Sequence, residues 1–412
     1  MVPQHRHPNH PEPASTPRPR SRDQSKPQLE WDAGVVSISS SPVKTILRWG
    51  GAVAVGAAAT WVTRAAWGLP VAMGATAAAL RAVTSASPQF RDGKFVNTEP
   101  SPVITAADGQ SIAMALLTRD DRGRPAGPVP LARSGVPPEV AADLAATWYG
   151  HASVMVEVDG QRLLLDPVWG ERVSPSRTVG PRRLHPPPVP IDDLPPVDAI
   201  LISHDHYDHL DLPTVRSLLR TQTAPFVVPL GIGAHLRRWH VPDERIVELD
   251  WGQQADVGEL RLTCTQARHF SGRGLSRDNT LWSSWVIRGP RHRVYFGGDT
   301  GYTPGFADIG GEHGPFGLTL LPIGAYGAQW PHIHMTPEEA VRAHRDLGGD
   351  VLLPIHWATF DLAFHAWAEP VQRLYVAAAQ AGVALALPRP GERISNAEPP
   401  PTKDWWTALA RP

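Results

Sequence analysis

Six consecutive residues, from His204 to His209, contain three imidazoles and two carboxylates, and they constrain the fold more than any other stretch. The largely apolar residues 197–202 just before them predict a short buried strand. Pro213, just after them, opens a predicted helix that runs to Leu219. The six residues therefore lie on a loop between a strand and a helix, where a rigid scaffold can hold side chains around an ion.

The spacing of these residues is His-x-His-x-Asp-His. Neutral imidazole nitrogens and carboxylate oxygens suit divalent metals such as zinc. His204 and His206 can bind one ion, and Asp208 and His209 a second. The alternative is a polar loop with a chance run of histidines, but the position directly after a core strand favours a metal site.

Three later strands each end on a residue that can bind a metal. These residues are His269 after the strand at 259–266, Asp299 after the strand at 293–296 and two glycines, and His356 after the strand at 350–355. Glycine lets the backbone turn tightly, so Asp299 can approach closely and bridge two ions. The alternatives are an ordinary turn aspartate and histidines with structural roles.

Two further histidines have a weaker claim. No second ligand lies near His151 in the sequence, so we interpret it as a residue that hydrogen-bonds a loop beside the site. His334 precedes a helix start at Thr336-Pro337, and it can act there as an acid or a substrate contact. A loop histidine without a role is the alternative for His334.

Composition divides the 412 residues into five predicted segments. Residues 1–43 are rich in Pro, Ser and Arg and predict a disordered tail. Residues 44–87 form an apolar, Ala- and Gly-rich helical segment, and residues 88–144 an arm that packs on the core. The main folded domain is predicted at 145–390, and residues 391–412 are a predicted C-terminal tail.

The segment 44–87 leaves two interpretations open. Its apolar runs, 49–63 and 65–80, are divided by Arg64, and each is shorter than the roughly 20 residues that span a bilayer. Together they can make a tilted span or a hairpin lying on a membrane, or else a pair of helices packed on the main domain. Lys44 and Arg48 favour a cytoplasmic N-terminus if the segment spans. The predicted location is therefore the cytoplasmic side, with membrane association as an open alternative.

Charge and cysteine usage exclude some functions. Lys plus Arg is 39 and Asp plus Glu is 40, so no basic excess points to nucleic acid. The only cysteine, Cys264, lies in an alternating run and is interpreted as a small buried strand residue. Composition does not determine the oligomeric state, and a homo-oligomer stays one of the alternatives.

The order and context of these residues resemble the ligand set of the metallo-β-lactamase superfamily. Within it the chain is similar to N-acylphosphatidylethanolamine-hydrolysing phospholipase D and its bacterial relatives. The motifs that carry this resemblance are Trp148-Tyr149-Gly150-His151-Ala152, Leu165-Asp166-Pro167-Val168, Gly180-Pro181-Arg182-Arg183, the run 202–211, Gly297-Gly298-Asp299-Thr300-Gly301-Tyr302, Pro322-Ile323-Gly324-Ala325-Tyr326, the run 334–340 and Ile355-His356-Trp357. They cover about residues 145–375.

The resemblance implies an α/β fold, a four-layer αββα sandwich with two Zn²⁺ ions at one edge. It assigns His204, His206 and His269 to the first ion, Asp208, His209 and His356 to the second, and Asp299 to a bridge between them. The family's additional active-site histidine corresponds to His334. We therefore expect a zinc-dependent hydrolase, a phosphodiesterase acting on a phospholipid-like substrate.

Two divalent ions close together lower the pKa of a shared water and so supply hydroxide at neutral pH. Asp208 can also steer that water, and His334 can protonate the leaving group or bind phosphate. Two alternatives stay open. One is a lactonase or another ester hydrolase, because one fold serves several chemistries. The other is a redox di-iron or non-catalytic metal protein, although di-iron relatives usually place a carboxylate where His206 stands.

Overall fold

The computed structural model describes residues 53, 55, 57–103, 120–132, 136–274, 276–396 and 404–411. Contacts divide the chain into two units, Met1–Ala57 and Ala58–Pro412, and the fold described below belongs to the second. The predicted disordered tail, residues 1–43, lies outside the described residues.

Within these described residues, sixteen strands form a small hairpin and two larger sheets. The hairpin pairs β1 (Phe90–Arg91) with β2 (Lys94–Phe95) around a turn at Asp92-Gly93. The first large sheet contains β3 (Leu144–Gly150), β4 (Ser153–Val158), β5 (Gln161–Leu165), β6 (Ala199–Leu201), β7 (Phe226–Pro229), β8 (Ile246–Leu249) and β16 (Arg393–Ser395), in the order β16-β3-β4-β5-β6-β7-β8. The second contains β9 (Gln254–Val257), β10 (Leu260–Thr265), β11 (Ser284–Arg288), β12 (Arg293–Phe296), β13 (Phe316–Pro322), β14 (Gly349–Ile355) and β15 (Ala384–Leu385), in the order β15-β14-β13-β12-β11-β10-β9.

Strand direction explains why the predicted ligands meet. In the first sheet β3 and β4 are antiparallel, as are β4 and β5, while β5, β6, β7 and β8 are parallel. Strands β3, β5 and β6 therefore end at one edge. In the second sheet β10 and β12 both pair antiparallel with β11, and β12, β13 and β14 are parallel. Strands β10, β12 and β14 therefore also end at one edge, and the predicted ligands follow these strands.

A shared core joins the two sheets, and helices cover their outer faces. The core contains alternate residues of both sheets, such as Val156 and Leu163 of the first and Leu262 and Leu320 of the second, all fully buried. The helices Leu212–Thr221 and Ile232–Arg238 pack on the outer face of the first sheet. The helices Pro337–Asp346 and Glu369–Ala381 pack on the second, and Gly305–His313 contacts Pro337–Asp346. The predicted αββα sandwich is confirmed.

The C-terminal residues contribute to this core. Strand β16 pairs with β3 within the segment that the sequence placed in a C-terminal tail. Glu157 of β4 binds Arg393 of β16 across β3, with Nε 2.8 Å from Oε1. Trp405 packs on Trp357, with ring centroids 5.3 Å apart. The short length of β16 gave no recognisable periodicity, so only its pairing partner identifies it as a strand. Cys264 is fully buried in β10, as predicted.

The apolar N-terminal segment divides at a different residue from the one predicted. Residues 57–66 are helical, so Arg64 lies inside a helix, and the chain turns at Trp67-Gly68. Gly68 has φ 81°, a conformation that glycine adopts without steric cost. The short helices Leu69–Ala72 and Ala77–Thr84 follow. The stretch Ala57–Thr84 has the length and composition of a membrane span, with a mean hydropathy of 1.2, and 11% of its most apolar window is buried.

Candidate metal centre

The side chains of His204, His206 and His269 converge on one point. Nε2 of His204 lies 2.8 Å from Nδ1 of His206, and Nε2 of His269 lies 3.3 Å from the same atom. Burial lowers the pKa of all three imidazoles, so they are neutral at pH 7. Neutral imidazoles are the form that binds metal ions.

Hydrogen bonds fix which nitrogen of each ring carries the proton. Nδ1 of His269 lies 2.9 Å from the carbonyl oxygen of Ile333 and must donate to it. Nδ1 of His204 lies 2.9 Å from Oγ of Ser203, which itself donates to Asp166, so this Nδ1 also donates. Both Nε2 atoms therefore present lone pairs to the shared point, as ligand nitrogens do.

Asp208, His209 and His356 form a second group. Oδ2 of Asp208 lies 3.5 Å from Nε2 of His209 and 3.3 Å from Nε2 of His356. Nδ1 of His209 donates to Oδ2 of Asp166 at 2.6 Å, so Nε2 is the nitrogen left to bind a metal. The loop between β6 and the next helix thus supplies both groups, and β10 and β14 each add one histidine.

Asp299 lies between the two groups. Its Oδ2 is 3.0 Å from Nε2 of His356 and 3.2 Å from Nε2 of His209. The same oxygen is 3.7 Å from Nε2 of His269 and 3.9 Å from Nε2 of His204. The structure therefore brings all seven sequence-predicted ligand residues together.

Three buried ligand atoms indicate that a cation belongs here. Among the described residues, Nε2 of His209, Nε2 of His356 and Oδ1 of Asp299 have no hydrogen-bond partner. Burial would lower the pKa of His356, but the carboxylates of Asp299 and Asp208 outweigh it and raise the pKa to about 9. The buried carboxylate of Asp299 and the half-buried carboxylate of Asp208 thus demand positive charge, and a divalent cation can supply it in place of a proton. The residues present fit a bound metal ion.

Asp166 lies directly behind the cluster, and no role was predicted for it. It is fully buried, follows β5, and has a left-handed backbone with φ 38°. Its carboxylate accepts hydrogen bonds from the Ser203 N–H, the Ser203 hydroxyl and His209. The available signal was a carboxylate directly after the apolar run 163–165, a pattern similar to the one that identified Asp299. His151 and His356 also have positive φ, of 52° and 62°. Such strain clusters at functional sites.

Gly298 lets the Asp299 loop approach the His204–His209 loop. Its φ is 56°, and a Cβ atom here would lie 2.4 Å from Cβ of Ser203. Only glycine permits this distance, which agrees with the role predicted for the glycine pair before Asp299.

The two weaker candidates also lie at the site. Nε2 of His151 lies 2.9 Å from Oδ2 of Asp208, beside the ligands as predicted. Nδ1 of His334 lies 4.0 Å from Oδ2 of Asp299 and has no hydrogen-bond partner among the described residues. Burial lowers the pKa of His334 to about 4 and that of His151 to about 3.

A cavity of about 400 Å³ opens onto the cluster. Its floor contains His206, Asp208, Asp299, His334 and His356. Its walls are largely apolar, with one cationic side chain, and consist of Val103, Val173, Tyr207, Phe270, Arg277, Ala325, Trp330, Ile333 and Leu362.

The αββα fold, with a cluster of histidines and aspartates at one edge of its sheets, defines a class of metal-binding proteins. Comparison with known proteins points to the same class. A family model described as "Beta-lactamase superfamily domain" matches residues 161–357. The chain belongs to the metallo-β-lactamase superfamily and is a metal-dependent hydrolase.

Three relatives locate the chain more closely within that superfamily. It is 56% identical over 335 residues to the uncharacterized protein Rv0906 of Mycobacterium tuberculosis, covering 80% of this chain and 90% of that protein. It is 39% identical over 232 residues to N-acyl-phosphatidylethanolamine-hydrolyzing phospholipase D 1 of Caenorhabditis elegans, covering 53% of this chain and 65% of that protein. It is 30% identical over 252 residues to the UPF0173 metal-dependent hydrolase PAE2160 of Pyrobaculum aerophilum, covering 58% of this chain and 98% of that protein.

Proposed function

We propose that this protein is a dinuclear zinc phosphodiesterase that hydrolyses a phospholipid-like substrate. The observation that carries the proposal is the cavity above the cluster, which combines apolar walls with one arginine, Arg277. Apolar walls suit acyl chains, and a guanidinium suits a phosphate. The similarity to the phospholipase D of C. elegans supports the same substrate class.

In this proposal the two groups of ligands hold two ions. His204, His206 and His269 hold the first, Asp208, His209 and His356 hold the second, and Asp299 contacts both. Histidine nitrogens with a carboxylate are a donor set typical of zinc. When bound, two such ions polarise a phosphoryl oxygen and lower the pKa of water so that a nucleophile is present at neutral pH.

The remaining residues orient the substrate and the reacting water. Asp208 has a carboxylate oxygen at the cavity floor and can accept a proton from an attacking water. His334 faces the same floor, and its lowered pKa, about 4, leaves it neutral at pH 7. A neutral imidazole donates one hydrogen bond, so His334 suits contact with a phosphoryl or leaving oxygen better than cationic acid catalysis.

The walls would hold the lipid chains and exclude water. Phe270 and Trp330 are half-buried, and Leu362 lies on the same cavity. Nε1 of Trp330 donates to the carbonyl oxygen of Ala325 at 2.7 Å, which fixes the indole. Arg277 lies over the ring of Phe270, with its guanidinium carbon 5.4 Å from the ring centroid. A phosphate at the metals would therefore have an adjacent cation and an adjacent apolar wall.

A hydrolysis screen of the zinc-loaded protein tests this proposal. Phosphodiesters, among them N-acylphosphatidylethanolamine and phosphatidylcholine, are compared with a panel of lactones and carboxylic esters. We expect release of phosphatidic acid from one or more phospholipids. Turnover of lactones without any phospholipid turnover would replace this proposal with the lactonase alternative. If the isolated protein contained iron instead of zinc and absorbed visible light, the redox alternative would be favoured.

Leu362→Glu tests the apolar wall separately from the chemistry. Losing one apolar side-chain contact removes roughly 1.5–3 kcal/mol, so KM for a lipid should rise about 10- to 150-fold. Turnover of a small soluble phosphodiester should stay unchanged, because the metal ligands are untouched. Equal effects on both substrates would contradict a role of this wall in lipid binding.

A further inference from the structure

A second cavity, of about 630 Å³, lies beside the metal loop and is lined by arginines. It is bounded by the turn and short helix at 67–72, by the loop at 170–177 and by the helix Leu212–Thr221. Four basic side chains line it, besides the buried Arg273: Arg172, Arg177, Arg216 and Arg220. Tyr207 lines both this cavity and the cavity above the metal cluster. We call it the arginine cavity.

The charge of these four arginines is not neutralised by the fold. Within the described part of the chain, none of them has a carboxylate within 4.0 Å. Ten other described arginines do: Arg122, Arg182, Arg237, Arg261, Arg268, Arg291, Arg342, Arg373, Arg389 and Arg393. Arg172 donates to the carbonyl oxygen of Gly180, and Arg220 to that of Arg216, so both contact neutral groups.

The two carboxylates on the cavity wall do not cancel this charge. Glu171 binds Arg182, with Nε 2.6 Å from Oε1. Asp211 is buried and accepts hydrogen bonds from the hydroxyl and the N–H of Thr214, whose helix it caps. Both are already used, so the cavity presents a net positive surface to any ligand.

An exposed apolar surface adjoins the arginine cavity. Trp67 lines the cavity and is 73% exposed, and Trp61 and Val62 in the preceding helix are each 56% exposed. Large apolar side chains grouped on one exposed helix and the turn after it indicate a binding surface rather than a solvated one. Indole rings in particular favour the boundary between water and the lipid headgroups.

Partly buried hydrogen bonds hold the short helix Leu69–Ala72, which follows Trp67, against the core. Nε1 of Trp239 donates to the carbonyl oxygen of Val71 at 2.7 Å, and the guanidinium of Arg273 donates to that of Ala72 at 2.9 Å. Arg273 also donates to the carbonyl oxygen of Asp205 in the metal loop. Trp67 therefore keeps a fixed position beside the arginines.

We propose that the arginine cavity and the adjoining helix form a docking surface for a bilayer that contains anionic phospholipid. The arginines bind the phosphate of a lipid headgroup, and Trp61 and Trp67 enter the interface beside it. A free phosphate would account for the arginines but not for the exposed tryptophans, and a neutral bilayer would account for the tryptophans alone. The proposal does not depend on which bond the metal centre hydrolyses. Docking here would bring the metal cavity, which shares Tyr207, to the membrane surface.

Vesicle sedimentation of the full-length, metal-loaded protein tests this proposal. Binding to vesicles of phosphatidylcholine alone is compared with binding to vesicles that also contain phosphatidylglycerol. We expect tighter binding to the anionic vesicles, weakening as the salt concentration rises. Each arginine near an anionic surface contributes about fivefold in affinity, so R177E/R216E should lose about 25-fold or more on anionic vesicles only. W61S/W67S should lower binding to both kinds of vesicle.

A charge-matched control separates local binding from general attraction. Arg288 and Arg345 are also exposed, and R288E/R345E makes the same change in net charge away from the cavity. This control should bind anionic vesicles nearly as well as the unaltered protein. R177Q/R216Q, which removes the two positive charges without adding negative ones, should bind them more weakly than the control and more tightly than R177E/R216E. Metal content and the circular dichroism spectrum should be unchanged in every variant, which verifies folding.

Three results would overturn the proposal. Equal binding to neutral and anionic vesicles would show that the apolar helix acts alone. An equal loss in R288E/R345E would show that only net charge matters. Release of the protein from anionic vesicles by millimolar inorganic phosphate, at constant ionic strength, would show that the cavity binds a soluble anion.

Discussion

Replacing Asp166 with asparagine changes one atom of a buried side chain that touches no predicted metal ion. The carboxylate Oδ1 accepts from the Ser203 N–H at 2.6 Å, and an amide oxygen can keep that bond. Oδ2 accepts from the Ser203 hydroxyl at 2.5 Å and from Nδ1 of His209 at 2.6 Å. In Asp166→Asn an NH₂ group occupies the position of Oδ2, and it cannot accept from either donor.

The expected loss follows from the tautomer of His209. Once Nδ1 has to accept a hydrogen bond, the proton moves to Nε2, the nitrogen that faces Asp299 at 3.2 Å. The ring then lacks the lone pair that would bind a metal. Changing such a hydrogen-bond partner typically costs 10- to 100-fold in metal affinity, or about 1.4–2.7 kcal/mol. The metal-free protein should lose roughly 1–3 kcal/mol as well, because a buried donor is left unpaired.

Competition for zinc with a chromophoric chelator measures this loss in the full-length protein. Asp159→Asn is the matched control, since Asp159 also follows a strand with positive φ and binds Nδ1 of His292 at 2.6 Å. His292 is not among the predicted ligands, so the control should leave zinc affinity unchanged. If Asp166→Asn bound zinc as tightly as the control, the inferred tautomer of His209 would be wrong.

Three further perturbations test other parts of the structure. His206→Ala should lose zinc and hydrolysis together, and full zinc content by elemental analysis would contradict its assignment as a ligand. His334→Ala should keep its zinc but lower turnover or raise KM on a confirmed substrate, and unchanged kinetics would remove its proposed role. Glu157→Gln should destabilise the protein by about 3 kcal/mol in urea unfolding at neutral pH, because it breaks a buried ion pair with Arg393. The fold lowers the pKa of Glu157, since hydrogen bonds from Arg393 and Ala142 outweigh burial. Its contribution is therefore present above the unfolded pKa of 4.5 and is lost as pH falls below it, so the difference between variant and unaltered protein should narrow in acid.

Much of the fold was predictable because its signals are local. The strands at β4, β5, β10 and β12 show alternation or apolar runs, and the helix Pro337–Asp346 has a recognisable capping residue and first-turn proline. Elements without such signals were missed, among them β9, β15, β16 and the helix Gly305–His313. Their residues become a strand or a helix through packing on neighbours that lie far away in sequence.

The sequence by itself determined the chemistry of the site: which side chains can bind a metal, and that each follows a strand. It could do so because ligand type and strand ends are properties of a few adjacent residues. The tertiary structure alone decided what depends on segments distant in the chain. It placed Asp166 behind His209, closed apolar walls over the cluster, and set Trp67 beside four arginines from two other segments. Hydrogen bonds, cavities and electrostatic fields depend on the distances between side chains in the folded protein. No local pattern of residues encodes those distances.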